Sequence, residues 1–193
     1  MLQRQRENGK ISQRSAAYGN AMIKAVVACL MCAGAFVTFA AGAASTPIKL
    51  AIFEFELEDF SAGASAAGVT SPDAAHLENV TQKVREILAQ SDRYELIDVG
   101  GVRTPAGNSQ TLRDCDGCDA GIAAKLGAQQ SLVGVVSRIS RTEYVVRFQV
   151  RDTRTGAIVA AGDSGLQMGA DYSWSRGAAR LVKARLLEAR PSQ

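Results

Sequence analysis

Histidine is almost absent from this chain: His76 is the only one in 193 residues. A Ser-His-Asp hydrolase needs a histidine to take the serine proton. A structural zinc site needs four ligands, and one histidine beside Cys115 and Cys118, the one Cys-x-x-C of residues 45–193, falls short. No metal site is therefore expected. The glycines are many but badly spaced for phosphate: neither G-x-G-x-x-G nor a Walker sequence occurs, so no cofactor is expected. Aromatic residues make up 6% of the chain, with one tryptophan. These absences together argue against an enzyme.

Charge is missing altogether from Ala25 to Ala44, AVVACLMCAGAFVTFAAGAA, and Lys24 precedes that run. A cationic segment, an apolar core and a small-residue end compose a signal peptide. Ala41-Gly42-Ala43 has the form a signal peptidase cuts, so residues 1–44 are expected to leave and 45–193 to form the secreted domain. A retained membrane anchor is the alternative, since about 20 apolar residues can span a bilayer. Starting at Met22 gives a leader of ordinary length, which makes residues 1–21 a candidate mis-assigned start. The leader carries five Lys/Arg and one Glu, a charge of +4. The whole chain is +3, which leaves −1 for the domain. The basic balance thus gives no reason to expect nucleic-acid binding. A periplasmic or secreted location follows, with no stable membrane span after cleavage.

Within the domain, hydrophobic periodicity sets the order β-α-β-α-β-β-β-α. Ile48–Leu57 reads as a strand. Ser71-Pro72-Asp73 starts a helix, and Leu77, Val80, Val84, Ile87 and Leu88 form its inner stripe. Tyr94–Val99 is a second strand. A short helix runs from Cys118 to Leu126 and is closed by Gly127. Strands at 130–139, 143–152 and 157–167 follow, the last two joined by a hairpin at Asp152–Gly156. Residues 172–189 form a final helix with Trp174, Ala178, Leu181 and Val182 inward. The fold class is α/β, an α+β mixed sheet: one sheet with helices packed on one face.

Several segments, taken in order, resemble a known family. They are Ile48–Phe53, Ser91–Asp98, Cys115 and Cys118 before Ile122–Ala128, the Val150–Gly156 hairpin, and Ser173–Gly177. Together they resemble an uncharacterised family of predicted secreted bacterial proteins, a domain of unknown function. The resemblance implies export and the fold above, and it implies no activity. In architecture the pattern is similar to the amino-terminal domain of the Tol-system periplasmic protein and to the curli-secretion lipoprotein family.

Four local features invite a functional reading. Gly162-Asp163-Ser164-Gly165 spells the tetrapeptide around the nucleophile of trypsin-like proteases, but Leu166 replaces the family's next glycine and no base accompanies it. Cys115 and Cys118 are expected to form a disulfide, the default in an oxidising compartment. Redox and metal readings are the alternatives, and Asp114, Asp116 and Asp119 oppose the thiolate that both need. Glu54, Glu56 and Glu58 alternate along one strand face as an acidic, solvated end. Finally, Arg147 and Arg151 point away from the helices, with Arg138 on the preceding strand and Arg154 at the hairpin extending the line and Val145 apolar among them. That face is a candidate dock for an acidic envelope protein. The expected function is a non-catalytic periplasmic accessory or interaction protein. The alternatives are a thiol-disulfide protein using Cys115 and Cys118, or a small-ligand binder using the 58–71 loop.

Overall fold

The computed structural model describes residues 46–62, 70–100 and 111–188. The expected leader, residues 63–69 of the candidate ligand-binding loop and residues 101–110 lie outside them. The strands are β1 (Ile48–Ile52), β2 (Glu56–Asp59), β3 (Tyr94–Ile97), β4 (Gln130–Ser140), β5 (Glu143–Asp152), β6 (Ile158–Asp163) and β7 (Gln167–Met168). The helices are α1 (Ser71–Ala89), α2 (Cys118–Lys125) and α3 (Trp174–Val182), the last continuing as a π turn over Lys183–Leu187. They build one mixed sheet in the order β3-β1-β4-β5-β6. β3, β1 and β4 are parallel, and β4, β5 and β6 form an antiparallel meander.

α1 starts one residue earlier than the sequence suggests. Its cap is Thr70, whose hydroxyl accepts from the Asp73 amide while the Asp73 carboxylate accepts from the Thr70 amide. This reciprocal pair satisfies two otherwise orphaned donors. The expected apolar stripe of α1 is buried, as are Trp174, Ala178, Leu181 and Val182 of α3. Both helices cover one sheet face, where Leu50, Ile52, Leu132, Val136, Tyr144, Val146, Phe148 and Val150 meet them. The expectation that all helices share that face fails for α2. Ala123 of α2 packs with Ala51, Phe53 and Val133 in a separate, smaller core. Strand alternation sends those three side chains to the opposite face from Leu50, Ile52 and Leu132.

The first strand is broken, which its sequence does not announce. Ile52 stands opposite Leu132, but Glu56 stands opposite Val135. Four steps on one strand match three on the other, so one residue is extra, a β-bulge at Glu54. The bulge flips the phase: Phe55 and Leu57 face the long helices instead of Glu54 and Glu56. α1 satisfies the backbone freed there. Thr81 Oγ1 accepts from the Phe55 amide at 3.0 Å, and Arg85 Nη2 donates to the Ile52 carbonyl at 2.9 Å.

Candidate functional site

The sheet face opposite α1 and α3 is only partly covered. α2 sits over one end, held by a buried polar cluster. Asp119 has no exposed surface, and its Oδ2 accepts from Ser131 Oγ at 2.6 Å. Arg151 Nε lies 3.5 Å from the other Asp119 oxygen, and Arg151 Nη1 donates to the Gly156 carbonyl at 3.1 Å. Arg151 was expected to be an outward contact residue. It points to the expected face, but it is spent on α2 and the β5–β6 turn, because a buried carboxylate must be paired.

Beyond α2 the face opens into a groove of 640 Å³. Its floor on the sheet has Arg147, Gln149 and Asp163 alternating across the strands with Val133, Val135 and Ala161, and its sides carry Glu58, Arg113 and Arg185. The bulge is what brings acids here. Glu56 accepts from the Leu112 and Arg113 amides at 2.6 and 3.3 Å, which fixes the turn that forms one wall. Glu58 accepts from Ser137 Oγ at 2.8 Å and from Arg147. Arg147 is half exposed, and Val145, opposite Ser137, shares its face. Arg154 is exposed at the hairpin beyond.

Arg138 is not part of this surface. It pairs with Tyr144, whose ring is in the main core, so it lies on the helix face. There its guanidinium stacks 5.1 Å over the Trp174 ring and meets Asp59, Asp73 and Asp171. It joins β2, β4, the cap of α1 and the approach to α3. Burial works to raise the pKa of Asp73, but the Thr70 hydroxyl and Arg138 outweigh it and hold the carboxyl below its ordinary value. Asp59 follows the same pattern: burial opposes, and Ser61 and then Arg138 prevail. Its place is set by the register opposite Tyr144, which brings it to the face away from Arg147 and Arg151.

The remaining candidates fall apart in space. Ser164 Oγ donates to the Gly165 carbonyl at 2.7 Å and accepts from the Val146 amide at 3.0 Å, bracing the end of β6. His76 sits edge-on to Trp174, 6.0 Å between ring centres, across the sheet from the groove. Cys115 and Cys118 are joined by a disulfide and pack into the small core under α2. Among the described residues, no helix is long and apolar enough to cross a membrane.

The profile of DUF3280, described as "Protein of unknown function (DUF2380)", matches residues 48–186. The chain belongs to that family. The matched span begins with β1 and ends in the π turn after α3, so family membership covers the whole described domain. No curated protein sequence matches the chain significantly. Among solved structures, the carboxy-terminal domain of LpoB from Salmonella enterica is similar at 19% identity, over 66% of this chain and 87% of that one, with a TM-score of 0.45. A PelC dodecamer from Paraburkholderia phytofirmans is similar at 16% identity over 72% and 85%, TM-score 0.40. TolB from Acinetobacter baumannii is similar at 12% identity over 68% and 25%, TM-score 0.37. These are likenesses of shape at a distance, and no functional residue transfers from them to this DUF3280 member.

Proposed function

We propose that this protein is a non-catalytic accessory protein of the bacterial periplasm that binds another envelope protein across the uncovered half of its sheet. The location rests on the leader read from residues 1–44. The binding role rests on one observation: the sheet beyond α2 lies open as a groove in which Arg147, Gln149 and Asp163 stand among Val133, Val135 and Ala161. A concave surface that sets arginine on apolar ground has the composition of an interface.

The partner's chemistry follows from the rim. Arg113 and Arg147 already have Glu56 and Glu58 as neighbours. The surface is therefore near charge balance rather than strongly basic, and it suits a partner segment of mixed charge. Arg147 is the hinge of the test. Arg147→Glu sets two carboxylates against each other on the rim while leaving the core untouched. Crosslinking of wild-type protein in its native envelope should trap one protein reproducibly. The Arg147→Glu variant should lose that product, and the swap Arg147→Glu with Glu58→Arg should recover part of it. An unchanged crosslink in the folded Arg147→Glu variant defeats the proposal.

A further inference from the structure

The groove ends at β6, the outermost strand of the sheet on that side, which pairs with β5 alone. The ladder fixes which of its backbone groups face outward. The Ser164 amide donates to the Val146 carbonyl at 2.9 Å, and at the hairpin the Asp152 amide donates to the Ala157 carbonyl at 2.9 Å. Even-numbered residues of β5 thus bond toward β6. The Thr153 amide turns the other way, to the Gln129 carbonyl just before β4. Bonded and unbonded pairs alternate along an antiparallel ladder. Gly162 opposite Phe148 is therefore a bonded position, whereas Ala161 opposite Gln149 and Asp163 opposite Arg147 are not. Ala161 and Asp163 turn their N–H and C=O groups away from β5, and these four groups have no partner among the described residues.

Sheets commonly shield such an edge with charged side chains, proline or a covering segment. Ala160, Ala161 and Gly162 supply none of these, and Ala161 and Asp163 are exposed. The bulge at Val159 ends the regular edge on the α2 side, so the bare stretch is short. The free space lies alongside it. The groove is lined by Ala161 and Asp163 from one face of β6 and by Gly162 and Phe148 from the other, so the cavity wraps the edge. Arg185 flanks it on the helix side: a Cβ at Gly162 would stand 3.1 Å from Arg185 Cγ. Neither Arg185 nor Asp163 forms a salt bridge among the described residues.

We propose that the protein partner of the groove is held by strand addition: an extended segment of it pairs with β6 and exchanges backbone hydrogen bonds with Ala161 and Asp163. The inference rests on the groove reading and adds the form in which the partner binds. Two donors and two acceptors, repeated two residues or about 6.8 Å apart, match the backbone of an extended peptide. A helix spends those groups within itself. Successive side chains of an added strand point to opposite faces. Those on one face lie beside Ala161 and Asp163, and those on the other beside Gly162 and Arg185. The segment that fits carries an acid on the Arg185 side and none on the Asp163 side.

Ala161→Pro removes the outward amide without touching a bond to β5, a change that edge strands accept. In the native-envelope crosslinking experiment the folded variant should lose the product. The outcomes separate the two readings. If Arg147→Glu loses the product and folded Ala161→Pro keeps it, strand addition is overturned and the groove reading stands. If neither variant loses it, or wild type gives no product, both fall. Should circular dichroism show Ala161→Pro unfolded, hydrogen exchange on wild type decides. In the purified crosslinked complex the Ala161 and Asp163 amides should exchange about tenfold or more slowly than in the free protein, with the Gly162 amide, already bonded to β5, little changed. Unchanged exchange at Ala161 and Asp163 overturns the proposal.

Discussion

Replacing Gly134 with alanine puts a methyl group where the Phe55 ring already is. An ideal Cβ at Gly134 falls 2.2, 2.3 and 2.5 Å from Phe55 Cε1, Cζ and Cδ1. Carbon atoms in contact are best separated by about 3.5–4.0 Å, so three ring atoms overlap the methyl by roughly 1 Å each. The ring cannot swing out: Phe55 is buried, and its amide is tied to Thr81 Oγ1. Overpacking of this kind costs about 1–3 kcal/mol, and a triple clash belongs at the top of that range. Removing a strand glycine returns roughly 0.5–1 kcal/mol of backbone entropy. The net expectation is a loss of about 2 kcal/mol, or about 4–8 °C in Tm for a domain of this size. Urea unfolding followed by circular dichroism should show a lower midpoint with an unchanged slope. Phe55→Leu relieves the clash while losing packing of its own. The double variant should therefore be less destabilised than the sum of the singles by about 1–2 kcal/mol. A neutral Gly134→Ala, or two penalties that simply add, would refute the packing described at the bulge.

Thr81→Val keeps the shape of the side chain but leaves the buried Phe55 amide without its acceptor, and should cost about 1–3 kcal/mol in the same urea assay. Arg138→Met strands Asp59 and Asp73 without their common cation; a loss of about 3 kcal/mol is expected, as for breaking a partly buried ion cluster. The pH dependence has a defined sign. Asp59 and Asp73 titrate below their ordinary value of 3.8 in the folded protein, so they add stability above that value, and it is lost as pH falls through the folded values. Thermal melts between neutral pH and pH 3 should show this loss in wild type and a flatter profile in Arg138→Met. Replacing Cys115 and Cys118 by serine opens a very short loop, and should lower stability by about 2 kcal/mol without altering the crosslink expected of the groove; cycling of the pair at the potential of an oxidoreductase would instead favour the thiol-disulfide reading.

Legibility in the sequence followed the strength of the local pattern. The α1 stripe and the alternation of Tyr144, Val146, Phe148 and Val150 are long and periodic, and the structure follows them. The bulge is different, because one inserted residue leaves both halves of IKLAIFEFEL looking like good strand. Only the pairing with β4 reveals it. α2 has a weak apolar face, two alanines and an isoleucine among small residues, so its side of the sheet could not be read from its own sequence. The arginines stand out along the sequence, but their partners Glu58, Asp119 and Asp73 come from distant segments. What looked like an excess of positive charge on one face is a set of separate pairings, on both faces.

The bulge at Glu54 also makes this segment tolerant of change in length as well as in letter. Glu54 is exposed and its side chain is committed to nothing in the core, so nearly any residue can stand there. Deleting it sets three steps against three between the Ile52–Leu132 and Glu56–Val135 pairs. The result is a regular strand that still turns Phe55 and Leu57 toward α1 and Glu56 and Glu58 toward the groove. Within the family, a gap placed between Phe53 and Phe55 should therefore mark a member that has lost its bulge with the faces of its sheet unchanged.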